Sequence, residues 1–122
     1  MQNKLIIAGT RTFDDYDLLE LEVKRFIVEE NITDPIIVSG CALGADQMGE
    51  DFAEKYGFKV DPFPVSPLEW KTYGKYAGHL RNEKMAQNAT HCIVFWQDNS
   101  PGSKNMIENA EKYNLKLKVI KV

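Results

Sequence analysis

Cysteine is scarce in this sequence, and its scarcity excludes two kinds of protein. Only Cys41 and Cys92 occur among the 122 residues, and neither belongs to a Cys-x-x-Cys pair or has a histidine at zinc-binding spacing. A disulfide framework and a structural zinc site both need more ligands than these. We therefore expect no bound metal and no cofactor. Both cysteines are expected to be small packing residues, with a reactive thiol as the alternative for Cys41.

Long apolar runs are missing as well. No stretch is apolar for long enough to cross a membrane, and the polar Gln2 and Asn3 that follow Met1 interrupt any signal-peptide core. We therefore expect a cytoplasmic protein without a membrane partner.

An excess of positive charge is also absent, since the formal net charge is −3. This total argues against a protein that coats nucleic acid electrostatically, and nucleic acid is not the expected partner. One local basic patch nevertheless faces a single acid, Glu83. Its members are Lys71, Lys75, His79, Arg81 and Lys84.

Apolar runs alternate with amphipathic segments along the chain. Continuous apolar runs at 4–8, 36–39 and 92–96 predict buried strands, whereas alternating patterns at 58–61 and 115–119 predict edge strands. Helical periodicity is found at 17–30, 45–56 and 78–88, and again after residue 100. These elements predict one α/β domain over residues 1–122. It is a Rossmann-like three-layer fold with a five-stranded parallel sheet in the order 3-2-1-4-5.

Capping residues mark the ends of these helices. Asp17 is a candidate N-cap, and Asn31 and Gly57 are candidate left-handed residues at helix C-termini. The stretch 64–77 shows no clear periodicity, and its length predicts an irregular functional loop or lid.

Two helix starts combine small residues with free backbone donors. The glycine-bearing turn at 40–46 follows a buried strand and leads into a helix, so its N–H groups form a candidate anion site. The segment 100–103 offers hydroxyl groups and free N–H groups at the last helix in the same way. A helix cap without any ligand is the alternative for both.

The loops after parallel strands meet at one edge of the sheet, where ligands bind at the reversal of strand order. Convergence of polar loops at that edge predicts a site for a nucleotide or nucleotide-derived molecule. The candidate ligand-binding residues are Gly9, Thr10, Arg11, Ser39, Gly40, Gly44, Asp46, Lys75, Arg81, Asn82, Ser100, Gly102 and Ser103.

Charged members of this set have alternative roles. The guanidinium groups of Arg11 and Arg81 suit a phosphate or a carboxylate, but ion pairs with nearby acids such as Glu83 would also explain them. Asp46, on the polar face of its helix, either accepts a hydrogen bond from a ribose hydroxyl or complements the helix dipole.

Asn82 and four aromatic residues complete the candidate set. Asn82 begins the sheet-facing stripe of its helix, so we expect its amide to lie at the crevice. Candidate base-stacking side chains are Trp70, Tyr73 and Tyr76, and Trp96 is expected to close the fourth strand at the crevice. Core packing is the alternative for these aromatic residues. The two histidines, His79 and His91, form no recognisable catalytic group.

Motifs spread over almost the whole chain resemble the SLOG superfamily, and most closely its YspA-related branch from bacteria and phages. The superfamily includes the LOG cytokinin-activating phosphoribohydrolases and the DprA DNA-processing proteins. The matching segments are 9–13, Ser39-Gly40 with Gly44-Ala45-Asp46, Trp70 with Gly74-Lys75, Ala77-Gly78 with Arg81-Asn82 and Met85, and Phe95-Trp96 with 100–103.

This resemblance implies a nucleotide or nucleotide-derived ligand and, by analogy, a homo-oligomer. LOG enzymes cleave the N-glycosidic bond of a nucleoside monophosphate with an Arg and with the Glu of Pro-Gly-Gly-x-Gly-Thr-x-x-Glu. Arg81 matches that Arg, but no Glu follows Gly102 within the first turn of the last helix: Asn105 stands three residues on, and Glu108 lies a further turn along. An amide cannot stabilise an oxocarbenium-like transition state as a carboxylate does.

The missing Glu therefore favours ligand binding, in a sensor or accessory role. LOG-like hydrolysis is the alternative, with Arg81 and Asp46 as its catalytic residues. DprA-like binding of single-stranded DNA is the third hypothesis.

Overall fold

The computed structural model describes residues 2–122 of the chain, which contain five strands and five helices joined by loops. The strands are β1 (Lys4–Gly9), β2 (Ile36–Ser39), β3 (Val60–Pro62), β4 (His91–Trp96) and β5 (Lys116–Lys121). The helices are α1 (Tyr16–Glu29), α2 (Ala45–Tyr56), α3 (Pro67–Tyr73), α4 (Tyr76–Gln87) and α5 (Pro101–Lys112).

The strands form one parallel sheet in the order β3-β2-β1-β4-β5, which confirms the predicted order 3-2-1-4-5. The continuously apolar strands β1, β2 and β4 lie inside it. The alternating strands β3 and β5 lie at its edges, where one face of a strand remains in water.

Helices cover both faces of the sheet, as expected for a three-layer fold. Successive residues of β1 point to opposite faces, so Leu5 and Ile7 pack with α1 and α2 while Ile6 and Ala8 pack with α4 and α5. Each fully buried aliphatic or aromatic side chain contributes roughly 1.5–3 kcal/mol to folding. Both cores therefore stabilise the sheet and fix the direction of its strand ends.

Several element ends differ from the prediction. Asp15, and not Asp17, is the N-cap of α1, because its side chain accepts a hydrogen bond from the Leu18 backbone N–H at 3.1 Å. Asn31 and Gly57 do have positive φ, at 52° and 74°. Phe58 is not part of β3, since its N–H is bonded to the Ala53 carbonyl at the end of α2.

The stretch that was predicted to be irregular contains the short helix α3, so this prediction was wrong. Ser66 and Glu69 form a capping box, with side-chain to backbone distances of 3.1 and 3.0 Å, and Pro67 begins the helix. No residue of α3 is buried, and so it has no apolar stripe that periodicity would detect. The Ser-x-x-Glu spacing was the available signal.

None of the helices within residues 2–122 combines the length and the apolar character needed to cross a bilayer.

Candidate functional site

A crevice of about 490 Å³ lies above the carboxyl ends of β1 and β4. These two strands are neighbours in the sheet. The strand order reverses between them, and such a topological switch point is the usual ligand position in open α/β sheets. Its walls are formed by the loop after β1, the start of α2, Trp70 of α3, the turns of α4 from Gly78 to Met85 and the start of α5. Most predicted site residues line it, namely Gly9, Thr10, Arg11, Asp46, Lys75, Arg81, Asn82, Ser100, Gly102 and Ser103.

Ser39, Gly40 and Gly44 do not line the crevice. The Ser39 hydroxyl donates to Glu50 Oε2 at 2.6 Å and accepts from the Cys41 N–H at 3.0 Å. Gly44 has φ 77°, and a Cβ there would lie 2.5 Å from the carbonyl oxygens of Thr10 and Arg11. These residues hold the turn before α2 against its neighbours, behind the crevice wall.

Gly40 allows two charged side chains to approach the backbone. A Cβ at this position would lie 2.7 Å from Asp46 Oδ2 and 2.8 Å from Arg81 Nη1. Arg81 Nη1 donates to the Gly40 carbonyl, and Arg81 Nε donates to Asn82 Oδ1 at 3.0 Å. The guanidinium of α4 is thereby fixed beside the first turn of α2.

Asp46 is a buried carboxylate in this first turn, with 5% of its surface exposed. Burial raises the pKa of Asp46 to about 6, although the charge of Arg81 and the hydrogen bond from the Ala42 N–H oppose the shift. Burial likewise lowers the pKa of Arg81, and the nearby Asp46 charge opposes that shift. The positive end of α2 therefore already faces a negative group of the protein itself.

Asn82 lies in the crevice wall and joins α4 to α5. Its Nδ2 donates to Asn105 Oδ1 at 3.1 Å and to the Gly102 carbonyl at 3.4 Å, while its Oδ1 accepts from Arg81. The amide at position 105 thus takes part in a polar network, and Asn109 Nδ2 also donates to Asn105 Oδ1 at 3.2 Å. Glu108 is exposed on the outer side of α5.

The start of α5 presents hydroxyl groups to the crevice. Ser100 caps the helix, and its hydroxyl lies 3.2 Å from that of Ser103, which in turn lies 3.4 Å from the Thr10 hydroxyl. The first turn of α5 contains no acid, and no atom lies within 4 Å of the Cβ position of Gly102. This helix start is therefore open, unlike that of α2.

Several lining residues were absent from the predicted set. The sequence predicts Trp70 of α3 only as a stacking residue, and it offers no catalytic partner for His79. Helical spacing carried a signal for three of these residues, since His79 and Met85 lie three residues from Asn82, and Met106 lies three residues from Ser103. The additional lining residues are Ala8, Ala42, Trp70, Gly78, His79, Met85, Pro101 and Met106.

Three aromatic candidates lie away from the crevice wall. Trp96 packs against the α4 and α5 face of the sheet, and its indole N–H donates to the Ser100 carbonyl at 3.1 Å. Tyr73 and Tyr76 are exposed beside the crevice, not in it.

Neither Arg11 nor Arg81 forms the alternative ion pair within residues 2–122, and Glu83 instead pairs with Lys112 at 2.8 Å.

The two cysteines differ in environment. Cys92 is buried, as predicted for a packing residue, whereas Cys41 is exposed, so the packing prediction was wrong for Cys41. Partial burial of the sulfur and the negative charge of Glu50 raise the pKa of Cys41, which keeps its thiol protonated at neutral pH. No cluster of three or more His, Cys, Asp or Glu side chains suited to a metal ion occurs in the described part of the chain.

Comparison with known proteins gives one similar sequence and two informative structures. No family model matches the chain. The Gene 61 protein of Mycobacterium phage D29 is 30% identical over an alignment of 118 positions, and the match covers 89% of this chain and 89% of that protein.

DNA processing protein A (DprA) from Streptococcus pneumoniae superposes with a TM-score of 0.73 at 20% identity, covering 97% of this chain and 50% of DprA. TM1055 superposes with a TM-score of 0.64 at 13% identity, covering 96% of this chain and 72% of that one. The chain thus spans about half the length of DprA. These likenesses confirm the predicted Rossmann-like α/β fold.

Proposed function

We propose that this chain, which belongs to the family of the Gene 61 protein of Mycobacterium phage D29, binds a nucleotide or nucleotide-derived molecule as a sensor or accessory protein. The observation that carries the proposal is the composition of the crevice wall at the switch point of the sheet. It combines the cations of Arg11, Lys75 and Arg81 with an open helix N-terminus and the indole of Trp70. Such a wall suits a ligand with an anionic end and a flat aromatic end.

The start of α5 is the proposed phosphate position. The Gly102 N–H, the hydroxyls of Ser100 and Ser103 and the lack of any acid in its first turn all favour an anion there. Arg11 lines the same crevice and adds a guanidinium that can bind two phosphate oxygens at once.

The proposed sugar and base positions use the remaining wall. Asp46 and Asn82 supply polar groups, while Trp70, Met85 and Met106 supply apolar and aromatic surface. We also propose that the family belongs to the YspA-related branch of the SLOG superfamily, which the phage relative and the SLOG-like fold support.

A ligand screen with a blocking variant tests this proposal. Thermal shift and ligand-detected NMR across nucleoside mono-, di- and triphosphates and dinucleotides should give binding by the wild type. Gly102→Leu should abolish it, because the open space beside Gly102 lets the side chain enter the crevice without disturbing the core. Lys104→Leu, on the exposed side of α5, is the matched control and should bind normally. A wild type that binds nothing in the panel would rule out the proposal.

Hydrolysis of a nucleoside monophosphate is a second candidate function, and one observation favours it. Asp46 is a buried carboxyl in the crevice wall, and its pKa of about 6 is suited to proton transfer near neutral pH. If the chain is a hydrolase, incubation with a monophosphate should release the free base and ribose phosphate, and Arg81→Ala should stop the release. Absence of turnover with every monophosphate that binds would rule out hydrolysis and leave binding as the function.

Nucleic acid remains outside the proposed function, although the name of DprA refers to DNA processing. The crevice volume of about 490 Å³ is in the range of small-molecule sites, and the net charge is −3. A single-stranded oligonucleotide should therefore cause no mobility shift at low salt. A shift that is lost at moderate salt would support DNA binding instead.

A further inference from the structure

One oxygen of the buried Asp46 carboxylate is not used by the protein. Oδ2 accepts a hydrogen bond from the Ala42 N–H at 3.2 Å, whereas Oδ1 has no hydrogen-bond partner within residues 2–122. No buried side-chain nitrogen or oxygen in these residues lacks a partner. Oδ1 is therefore accessible from outside the protein. Because Asp46 lines the crevice, we take the accessible surface of Oδ1 to face the crevice.

Arg81 has an unused donor next to this acceptor. Its Nη1 and Nε are committed to the Gly40 carbonyl and to Asn82 Oδ1, while Nη2 has no hydrogen bond within residues 2–122. Nη2 lies 4.0 Å from the Cβ position of Gly78, which also lines the crevice. An acceptor and a donor thus lie in the wall of the same crevice, on two side chains whose other polar atoms, Asp46 Oδ2 and Arg81 Nη1, both approach the Cβ position of Gly40, at 2.7 and 2.8 Å.

A pair of neighbouring hydroxyl groups matches this arrangement. Each hydroxyl both donates and accepts, so one can donate to Oδ1 while the other accepts from Nη2. Hydrogen bonds to charged groups are the stronger ones, particularly where water is excluded.

We propose that Asp46 and Arg81 form a subsite for the 2′,3′-diol of ribose, so that the ligand class is ribonucleotides and not 2′-deoxyribonucleotides. The inference rests on the proposed function, because it assigns a part of the same crevice. The 2′-hydroxyl donates to Asp46 Oδ1 and the 3′-hydroxyl accepts from Arg81 Nη2, so a 2′-deoxyribose leaves the carboxylate without its partner, and a site of this kind rejects a ligand that lacks the hydroxyl.

Paired ligands test the subsite. Calorimetric titration of the wild type with AMP against dAMP, and with GMP against dGMP, should show about tenfold or greater preference for the ribose form with both bases. Asp46→Asn should reduce each preference to about twofold or less. Asp51→Asn, on the exposed side of the same helix, is the matched control and should keep it. Thermal unfolding verifies that each variant is folded.

The outcomes separate the two proposals. Equal affinity of the wild type for the ribose and deoxyribose forms, or a preference that follows the base alone, overturns the diol subsite and leaves nucleotide binding standing. Failure of all four ligands and of the wider panel to bind overturns the proposed function, and the subsite with it.

The pH dependence of the preference gives a second readout. Asp46 faces Arg81 from α4, Arg11 from the loop after β1, Glu50 from its own helix and Cys41 from the preceding turn. The two members of each pair carry the same phosphate, so their affinity ratio isolates the carboxyl. Since only the ionised form is a strong acceptor, the ratio should fall as the pH drops through about 6 in the wild type and stay flat in Asp46→Asn. A flat wild-type ratio would overturn the role of Asp46.

Discussion

The starts of α2 and α5 look alike in the sequence but differ in the structure. Each helix start follows a buried strand, contains a glycine and lies at the same edge of the sheet. At α2 the Asp46 carboxylate lies in the first turn and is bonded to the Ala42 N–H, and Arg81 lies over it. At α5 the first turn has no acid, and Ser100 and Ser103 face an open crevice.

The difference shows that a glycine turn before a helix is not sufficient to predict an anion site. The dipole and the free N–H groups favour negative charge at any helix start, and a carboxylate of the protein satisfies them as well as a phosphate does. What distinguishes the two ends is whether the chain itself supplies that charge.

The largest effect is expected from adding a methyl group to each turn. Gly44→Ala should destabilise the protein by about 3 kcal/mol or more, because φ 77° is strained for alanine and the added Cβ meets two carbonyl oxygens. Gly102→Ala should change stability by less than about 1 kcal/mol, since its Cβ meets no atom. Urea denaturation measures both free energies of unfolding, and similar losses in the two variants would contradict the contrast.

The pH dependence of stability should also distinguish the α2 turn. The folded-state pKa of Asp46, about 6, lies above its ordinary value of 3.8, so the folded protein binds more protons than the unfolded chain between these values. The free energy of unfolding of the wild type should therefore fall, relative to that of Asp46→Asn, by about 2–3 kcal/mol as the pH rises from 4 to 6. A constant difference between the two proteins over this range would show that the pKa is not raised.

A smaller effect is expected at the open end of α5, where Arg11 is proposed to contact phosphate. Arg11→Ala should weaken AMP binding by about tenfold, or roughly 1.4 kcal/mol, and leave adenosine binding unchanged. Arg25→Ala, on the far helix α1, is the matched control. If the loss were equal for AMP and adenosine, Arg11 would act on the fold of the crevice and not on the phosphate.

The smallest effect is expected from removing the cap of α5. Ser100→Ala should cost about 1 kcal/mol of stability, because the Ser103 N–H loses its side-chain partner at 3.4 Å. Asp15→Ala removes the corresponding cap of α1 and should cost a similar amount. Only Ser100→Ala should also weaken nucleotide binding, and an equal effect of both variants on affinity would place the phosphate elsewhere.

The sheet was predictable because its signals are local. Continuous apolar runs mark the inner strands β1, β2 and β4, and alternation marks the edge strands β3 and β5, so the strand order followed from which strands tolerate water. Helix α3 was not predicted because none of its residues is buried, and its capping box was the only signal for it in the sequence. Cys41 was misjudged for a similar reason, since no pattern of neighbours reports the exposure of a turn residue.

The crevice was predictable in outline, because parallel strands bring their following loops to one edge. Which of the candidate residues line the crevice was not predictable, because this depends on contacts between segments that are distant in the sequence. Asp46 lies on the polar face of α2 by periodicity, yet it is buried, because α4 carries Arg81 across it. Ser39, Gly40 and Gly44 share the motif but are turned toward the protein interior.

The sequence by itself determined the fold class, the strand order and the edge at which a ligand would bind, since each follows from periodicity and the geometry of parallel sheets. Only the tertiary structure decided which of two similar helix starts is open to an anion. The physical reason is that electrostatic complementarity and burial depend on through-space neighbours. Arg81 meets Gly40 and Asp46 only after α4 has packed against the sheet.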